Sequence, residues 1–86
     1  MDDLRLDGNA AAGVLQEIFA AEMTTAVGTC EGCGAVDAVG GTHLYRAAGF
    51  VFRCCHCEAV LVKIVTDGTR VWIDLRGLRT LELRTY

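Results

Sequence analysis

The sequence predicts a small α+β fold in which antiparallel β-hairpins are joined to one N-terminal helix. Two Cys-x-x-Cys pairs, Cys30–Cys33 and Cys54–Cys57, are separated by 20 residues, and each pair requires a reversal of the chain. The dipeptide Asp67-Gly68 lies between two mostly apolar runs and is typical of a hairpin turn. A stretch with apolar residues at helical spacing precedes these features. A chain of 86 residues has the length of one small domain.

The N-terminal helix is predicted over about Ala10–Met23, after a short flexible lead formed by residues 1–8. Asp7 or Asn9 is expected to cap it, because short polar side chains accept hydrogen bonds from the free amides of a helix start. The apolar side chains share one stripe of this helix: Ala11, Val14, Leu15, Ile18 and Phe19. The stripe predicts a helix that packs onto the strands, with a partner-binding or dimerising helix as the alternative.

Three strands are expected around the cysteine pairs. Thr24–Thr29 is predicted to lead, as an extended segment, into the first pair. A Gly-Gly break then precedes Thr42–Ala47, and a tight reversal at Ala48-Gly49 pairs that strand with Phe50–Cys54. This hairpin delivers the chain to the second cysteine pair.

A second hairpin is predicted from Ala59–Thr66 and Thr69–Leu75. With Asp67 and Gly68 as its two loop residues, Thr66 faces Thr69, Ile64 faces Val71, Val62 faces Ile73 and Val60 faces Leu75. The face that carries these pairs is almost entirely aliphatic, which predicts that it forms the core.

The opposite face of this hairpin is mixed. The same register sets Lys63 against Trp72, a cation–π pair worth about 0.5–1 kcal/mol if exposed. We expect the N-terminal helix to cover part of this face, with coverage by a partner as the alternative. The last segment, residues 78–86, is predicted to be a strand or a tail.

Charge is distributed unevenly along the chain. Its net charge is −3, but residues 1–45 carry seven acids and one base, whereas residues 46–86 carry seven bases and four acids. An acidic chain is a poor general binder of polyanions, although its C-terminal half offers a basic patch. The acidic N-terminus and the lack of a long apolar run predict a cytoplasmic protein, in which thiols stay reduced and bind metals.

The two cysteine pairs predict one metal site with four thiolate ligands: Cys30, Cys33, Cys54 and Cys57. Zinc is the expected ion and iron the less favoured one, since both accept tetrahedral sulfur ligands. Four thiolates leave no open coordination position, so the ion is expected to be structural and the protein not an enzyme. Because so short a chain buries a thin core, the metal-free chain is expected to be partly or wholly unfolded.

Three further side chains near this site are assigned lesser roles. Cys55 follows a ligand directly and is expected to be a partly buried bystander rather than a redox thiol. His56 is expected to face solvent or donate to a carbonyl, and His43 to be a surface residue of its strand.

The chain resembles the zinc-ribbon class, in which two Cys-x-x-Cys knuckles on β-hairpins hold one zinc. The resemblance covers about Thr29–Leu75, and Glu58 departs from it by replacing the glycine that commonly follows the second knuckle. This departure predicts a less regular turn there but leaves the four ligands intact. More narrowly, the runs Asp7–Gly13 and Val71–Leu78 around the knuckles look like those of a family of short actinobacterial proteins known only as a domain of unknown function. That resemblance implies no activity.

A small protein-interaction or regulatory module is therefore the expected function. The alternative is a nucleic-acid-binding ribbon of the transcription or translation machinery, and a rubredoxin-like electron carrier is less favoured. The residues expected to contact a protein partner or a nucleic acid are basic or aromatic: Lys63, Arg70, Trp72, Arg76 and Arg79. Neither a membrane nor a small-molecule substrate is expected.

Overall fold

The computed structural model describes residues 5–19, 23–46 and 48–83, which form one α-helix and two antiparallel sheets. The helix is α1 (Ala12–Phe19). The strands, in chain order, are β1 (Arg5–Asp7), β2 (Val27–Cys30), β3 (Val36–Ala38), β4 (His43–Arg46), β5 (Phe50–Arg53), β6 (Val60–Thr66), β7 (Val71–Asp74) and β8 (Leu78–Glu82). One sheet has five strands in the order β1-β4-β5-β6-β7, and the other has three in the order β3-β2-β8. The predicted α+β class with antiparallel strands is confirmed.

The N-terminal segment differs from the expected flexible lead of residues 1–8, because Arg5–Asp7 forms strand β1. This strand pairs antiparallel with β4, with Leu6 opposite Leu44, and so satisfies backbone groups along the edge of β4. The Asp7 carboxylate then accepts a hydrogen bond of 3.1 Å from the Asn9 amide and caps a 3₁₀ turn, Gly8–Ala11. Asp7 is therefore the cap, as one of the two predicted alternatives.

Helix α1 is shorter than predicted. It begins at Ala12, after the 3₁₀ turn, and it is described as far as Phe19. Residues 20–22 lie outside the described part of the chain, and Met23 is not helical. The predicted stripe is confirmed: Ala11 and Leu15 are buried in the core, and Val14, Ile18 and Phe19 pack partly buried against it.

The core lies under the centre of the five-stranded sheet. Its largest fully buried side chains are Phe52, Leu44 and Ile64, from three adjacent strands. The β4–β5 hairpin forms where it was predicted, but Arg46 lies opposite Phe50, so three residues rather than two separate the strands, and Ala47 lies outside the described part of the chain. A bulge where β5 meets β6 places two consecutive side chains, Leu61 and Val62, in the core.

The β6–β7 hairpin has a register shifted by two residues from the predicted one. Thr66 lies opposite Val71, Ile64 opposite Ile73 and Lys63 opposite Asp74. The cause is Asp67, whose carboxylate accepts from the amides of Thr69 (2.9 Å) and Arg70 (2.8 Å). These bonds, which lower the pKa of Asp67, close a four-residue loop in place of a two-residue turn. The Lys63–Trp72 cross-strand pair was therefore a wrong prediction.

Strand β7 is poorly covered on both faces. A two-residue shift leaves each side chain on its predicted face. Val71 and Ile73 nevertheless remain 44% and 40% exposed, so only Val62 and Ile64 of the predicted aliphatic face belong to the core. On the other face Trp72 is 51% exposed. The expectation that the N-terminal helix covers this face is wrong, because Lys63 and Trp72 on it are exposed. Leu15 of α1 is instead buried in the core with Leu44 and Phe52.

The three-stranded sheet combines β2 and β3 with β8, the last strand described. Its central strand, β2, begins at Val27 rather than Thr24, and β8 runs antiparallel to it with Gly28 opposite Leu81. The C-terminal segment is therefore a strand over Leu78–Glu82, and residues 84–86 lie outside the described part of the chain. None of the helices that the structure describes has the length and apolarity to cross a membrane.

Candidate metal centre

The first cysteine knuckle connects β2 to β3. Two backbone hydrogen bonds of 2.9 Å close it, from the Cys30 amide to the Ala35 carbonyl and from the Gly34 amide to the Cys30 carbonyl. Gly34 has φ +79°, a left-handed conformation that glycine adopts without steric cost. Gly34 therefore lets the chain complete its reversal directly after the cysteine pair.

The second knuckle connects β5 to β6 and repeats the first, 24 residues later in the chain. The Cys54 amide donates to the Ala59 carbonyl and the Glu58 amide to the Cys54 carbonyl, again both at 2.9 Å. Glu58 takes the place of Gly34 and has φ +63°. The expectation that Glu58 weakens the regularity of this turn is wrong, since the two knuckles share the same backbone bonds.

The two knuckles bring the four predicted sulfur atoms together. The Sγ atoms of Cys30 and Cys57 lie 3.7 Å apart, as do those of Cys33 and Cys54. All four sulfur atoms lie within 4.8 Å of one another. A tetrahedral ion with sulfur ligands at about 2.3 Å requires sulfur–sulfur separations of roughly 3.8 Å. The two measured separations match this geometry, so the four cysteines are close enough to bind one metal ion.

Backbone amides point at these sulfur atoms. The Cys33 and Gly32 amides, with the Cys57 thiol, outweigh burial and lower the pKa of Cys30 to about 7. The Ala35 amide lowers the pKa of Cys33, but desolvation and the other three thiols together raise it to about 12. The pKa of Cys57 is also raised, because desolvation and hydrogen bonding among the thiols outweigh the Ala59 amide. One thiolate is thus favoured, and a cation is needed before four negative sulfurs can coexist.

The site joins the two sheets. Cys30 ends β2 of the three-stranded sheet, and Cys54 directly follows β5 of the five-stranded sheet. Both of these residues are buried, whereas Cys33 and Cys57 lie at the surface. An ion held by all four would crosslink the sheets at a point where the surrounding core is small.

Glu58 is supported by three side chains that the sequence reasoning did not connect with the site. Its carboxylate lies 2.6 Å from His43 Nδ1 and accepts a 3.1 Å hydrogen bond from Tyr45 Oη. Arg53 Nη1 donates to the Glu58 carbonyl at 2.8 Å. His43 is half-buried and bonded to the knuckle, which corrects its assignment as a surface residue. The sequence signal that could have pointed to these contacts is a glutamate at a position where glycine is usual, together with the polar residues His43 and Tyr45 on β4.

Two substitutions at position 58 separate the backbone strain from the side-chain bonds. Glu58→Ala loses the bonds to His43 and Tyr45 but keeps a Cβ at positive φ, so it should be less stable than the wild type. Glu58→Gly loses the same bonds and removes the strain, so it should be more stable than Glu58→Ala by about 1 kcal/mol. Urea denaturation of the metal-loaded proteins measures this difference. Equal stability of the two variants would show that the positive φ carries no strain.

The residues inside the second Cys-x-x-Cys interact with Asp37. His56 Nε2 lies 2.8 Å from Asp37 Oδ2, and the Cys55 thiol lies 3.8 Å from the same oxygen. The three side chains are close enough to suggest a second metal site. However, 2.8 Å is a hydrogen-bond length, whereas nitrogen and oxygen ligands of one zinc lie about 3.3 Å apart. We therefore interpret this cluster as a set of hydrogen bonds that fixes the second knuckle against strand β3, which carries Asp37.

Cys55 is partly buried, as expected of a bystander. Its pKa is raised by burial first and then by the negative charge of Asp37, so the thiol is a poor nucleophile. His56 is exposed, as in one of its two predicted alternatives, and its ring also bonds the Asp37 carboxylate, a partner that was not predicted.

The predicted contact residues do not form one basic patch. Lys63, Trp72 and Arg76 line an open depression on the β6–β7 face, with Asp74 among them. The Arg76 guanidinium binds the Asp74 carboxylate, with a closest distance of 2.7 Å, and holds the pKa of that carboxyl at about 2. Arg79 lies 3.1 Å from Glu31. Arg70 is exposed at the end of the β6–β7 loop.

Comparison with known proteins places the chain in a family. No curated protein matches it, and no solved structure does. The model of a family of unknown function, DUF6510, matches residues 2–86. That span includes both knuckles, the helix and every strand described above, and it confirms the resemblance to a domain of unknown function. The chain therefore belongs to the family of unknown function DUF6510.

Proposed function

We propose that this protein is a non-enzymatic zinc-binding ribbon that acts in the cytoplasm as a small protein-interaction or regulatory module. The single observation that carries the proposal is the set of four sulfur atoms, all within 4.8 Å of one another, held by two equivalent knuckles. Zinc is the ion favoured here because tetrahedral sulfur sites of this kind are typical of structural zinc.

A structural role for the ion follows from its ligands. Four thiolates complete a tetrahedron, so no position remains for water or a substrate, and catalytic zinc requires such an open position. The ligands also come from both sheets, so binding energy of about 10–16 kcal/mol, as in zinc-finger peptides, is available to hold the sheets together. That is as large as the whole stability of a small domain, about 5–15 kcal/mol.

An interaction role is supported by the surface of β7. Val71 and Ile73 lie on one face of this strand and Trp72 on the other, and each is apolar and at least 40% exposed. Large apolar side chains exposed together on one strand support an interaction surface there. The nucleic-acid alternative is less favoured, because Arg76 and Arg79 are already paired with Asp74 and Glu31.

Elemental analysis of untagged protein, with an absorption spectrum, tests the proposal. We expect one zinc ion per chain and no visible colour, because zinc with thiolate ligands absorbs only in the ultraviolet. A red protein with one iron per chain would contradict the zinc assignment and support electron transfer instead. Protein that is folded with less than half an equivalent of any metal would contradict the structural role of the site.

A further inference from the structure

Among the strands that the structure describes, β7 is an edge of the five-stranded sheet and lies next only to β6. An edge strand presents unpaired amides and carbonyls, and proteins usually protect such edges with charge, proline or a covering element. Here the edge carries the exposed side chains of Val71, Trp72 and Ile73. The strand is therefore suited to pair with another strand.

The hydrogen-bonding groups that face outward can be identified from the loop. The Asp67 amide donates to the Arg70 carbonyl, so this opposing pair is a hydrogen-bonded one. Hydrogen-bonded and non-hydrogen-bonded pairs alternate along an antiparallel ladder. Trp72 consequently bonds to β6, and the amides and carbonyls of Val71 and Ile73 point away from the sheet.

Strand β7 can pair antiparallel with the same strand of a second copy, because the residues on the two sides of Trp72 are complementary in charge and apolarity. If Trp72 lies opposite Trp72 of a second copy, each Val71 lies opposite an Ile73, and each Arg70 lies opposite an Asp74. The Val71–Ile73 pairs are those whose amides face outward, so this register also satisfies the ladder. A register shifted by two residues loses both Arg70–Asp74 pairs. A register shifted by one residue places the outward amides and carbonyls of one copy opposite groups that already bond to β6 in the other. One register is therefore favoured over its neighbours.

The side chains of this register suit contact on both faces. Trp72 occupies a non-hydrogen-bonded pair, where side chains are closest and aromatic pairs stabilise antiparallel strands. Arg70 is exposed, and the Asp74 carboxylate, whose oxygens already accept four hydrogen bonds from Arg76, would attract it across the interface through charge rather than through a free acceptor site. The other face joins Val71 to Ile73 in two apolar pairs.

We propose that a second copy of this chain pairs antiparallel with β7 through this register, so that two five-stranded sheets join across a twofold axis. The proposal names the partner for the interaction role proposed above and rests on it. Because the interface is limited to one short strand from each copy, we expect a dissociation constant in the micromolar range.

Sedimentation equilibrium of the zinc-loaded protein tests this proposal. At high micromolar concentration the mass should approach twice the 9.2 kDa of one chain, and it should fall on dilution. Ile73→Pro removes one outward amide without touching the β6 ladder, so it should remain folded, bind zinc and stay at the mass of one chain. The matched control, Ile73→Thr, keeps the amide and should dimerise more strongly than the proline variant.

Charge reversal tests the register and does not depend on the proline variant. Arg70→Glu and Asp74→Lys each oppose like charges twice in a homodimer and should weaken self-association by about tenfold. An equimolar mixture of the two variants opposes unlike charges at both positions, so it should recover the dimer mass. A zinc-loaded, folded wild type that remains at the mass of one chain would overturn the dimer and leave the ribbon assignment intact. A dimer that ignores both charge reversals would overturn this interface.

Discussion

Replacing any one ligand cysteine by serine is expected to abolish both metal binding and the cooperative unfolding transition. The four positions are Cys30, Cys33, Cys54 and Cys57. A serine hydroxyl is not a thiolate and cannot complete the sulfur tetrahedron at neutral pH. Since the ion supplies about as much free energy as the whole stability of a small domain, its loss should leave the chain partly or wholly unfolded.

Thermal denaturation, followed by circular dichroism, and zinc content measure this effect. Cys55→Ser is the matched control, because it makes the same atomic change beside two ligands and should keep both zinc and the transition. Chelation of the wild-type metal should reproduce the ligand variants without any mutation. A chelated wild type that still unfolds cooperatively near its original temperature would contradict the structural role of the ion.

Gly77→Ala is expected to destabilise the metal-loaded protein by about 3 kcal/mol. A Cβ at this position would lie 1.8 Å from the Val60 carbonyl oxygen and 2.5 Å from the Leu61 Cα. Both neighbours are backbone atoms of β6, so no side-chain rotation relieves the clash. The Gly77 carbonyl also accepts a 2.9 Å bond from the Glu31 amide, so a shift here disturbs the first knuckle.

The matched control for this substitution is Gly13→Ala in helix α1. No atom beyond its immediate neighbours lies within 4 Å of the Cβ built there, and alanine is the better helix former. Gly13→Ala should therefore stabilise the protein, by up to about 1 kcal/mol. Urea denaturation of both variants gives the comparison, and a Gly77→Ala protein as stable as the wild type would contradict the close approach of β6 to Gly77.

The knuckles illustrate how much of the candidate site was predictable. The spacing of Cys30, Cys33, Cys54 and Cys57 predicted the ligand set, and the structure brings these four together. Their recognition needed only local chemistry, because each pair folds its own turn. The support of Glu58 by His43 and Tyr45 was not predictable, since β4 and the second knuckle are neighbours only through the sheet.

The β6–β7 hairpin shows the limit of local turn rules. Asp-Gly favours a two-residue turn, but the Asp67 carboxylate captures the next two amides and lengthens the loop. The two-residue shift kept every side chain on its predicted face while it changed every cross-strand partner. Alternation along the strand therefore predicted correctly which face each side chain occupies, but it did not predict which residues lie opposite each other.

From the sequence alone, the metal ligands, the amphipathic helix and the hairpins around them could be derived, because each depends on residues close together in the chain. Tertiary structure decided which surfaces are covered. Leu15 of helix α1 is buried in the core with Leu44 and Phe52, and β7 is left exposed at the edge of its sheet. Which segment covers an apolar face depends on contacts between residues that are distant in the chain, so a local sequence pattern does not predict it.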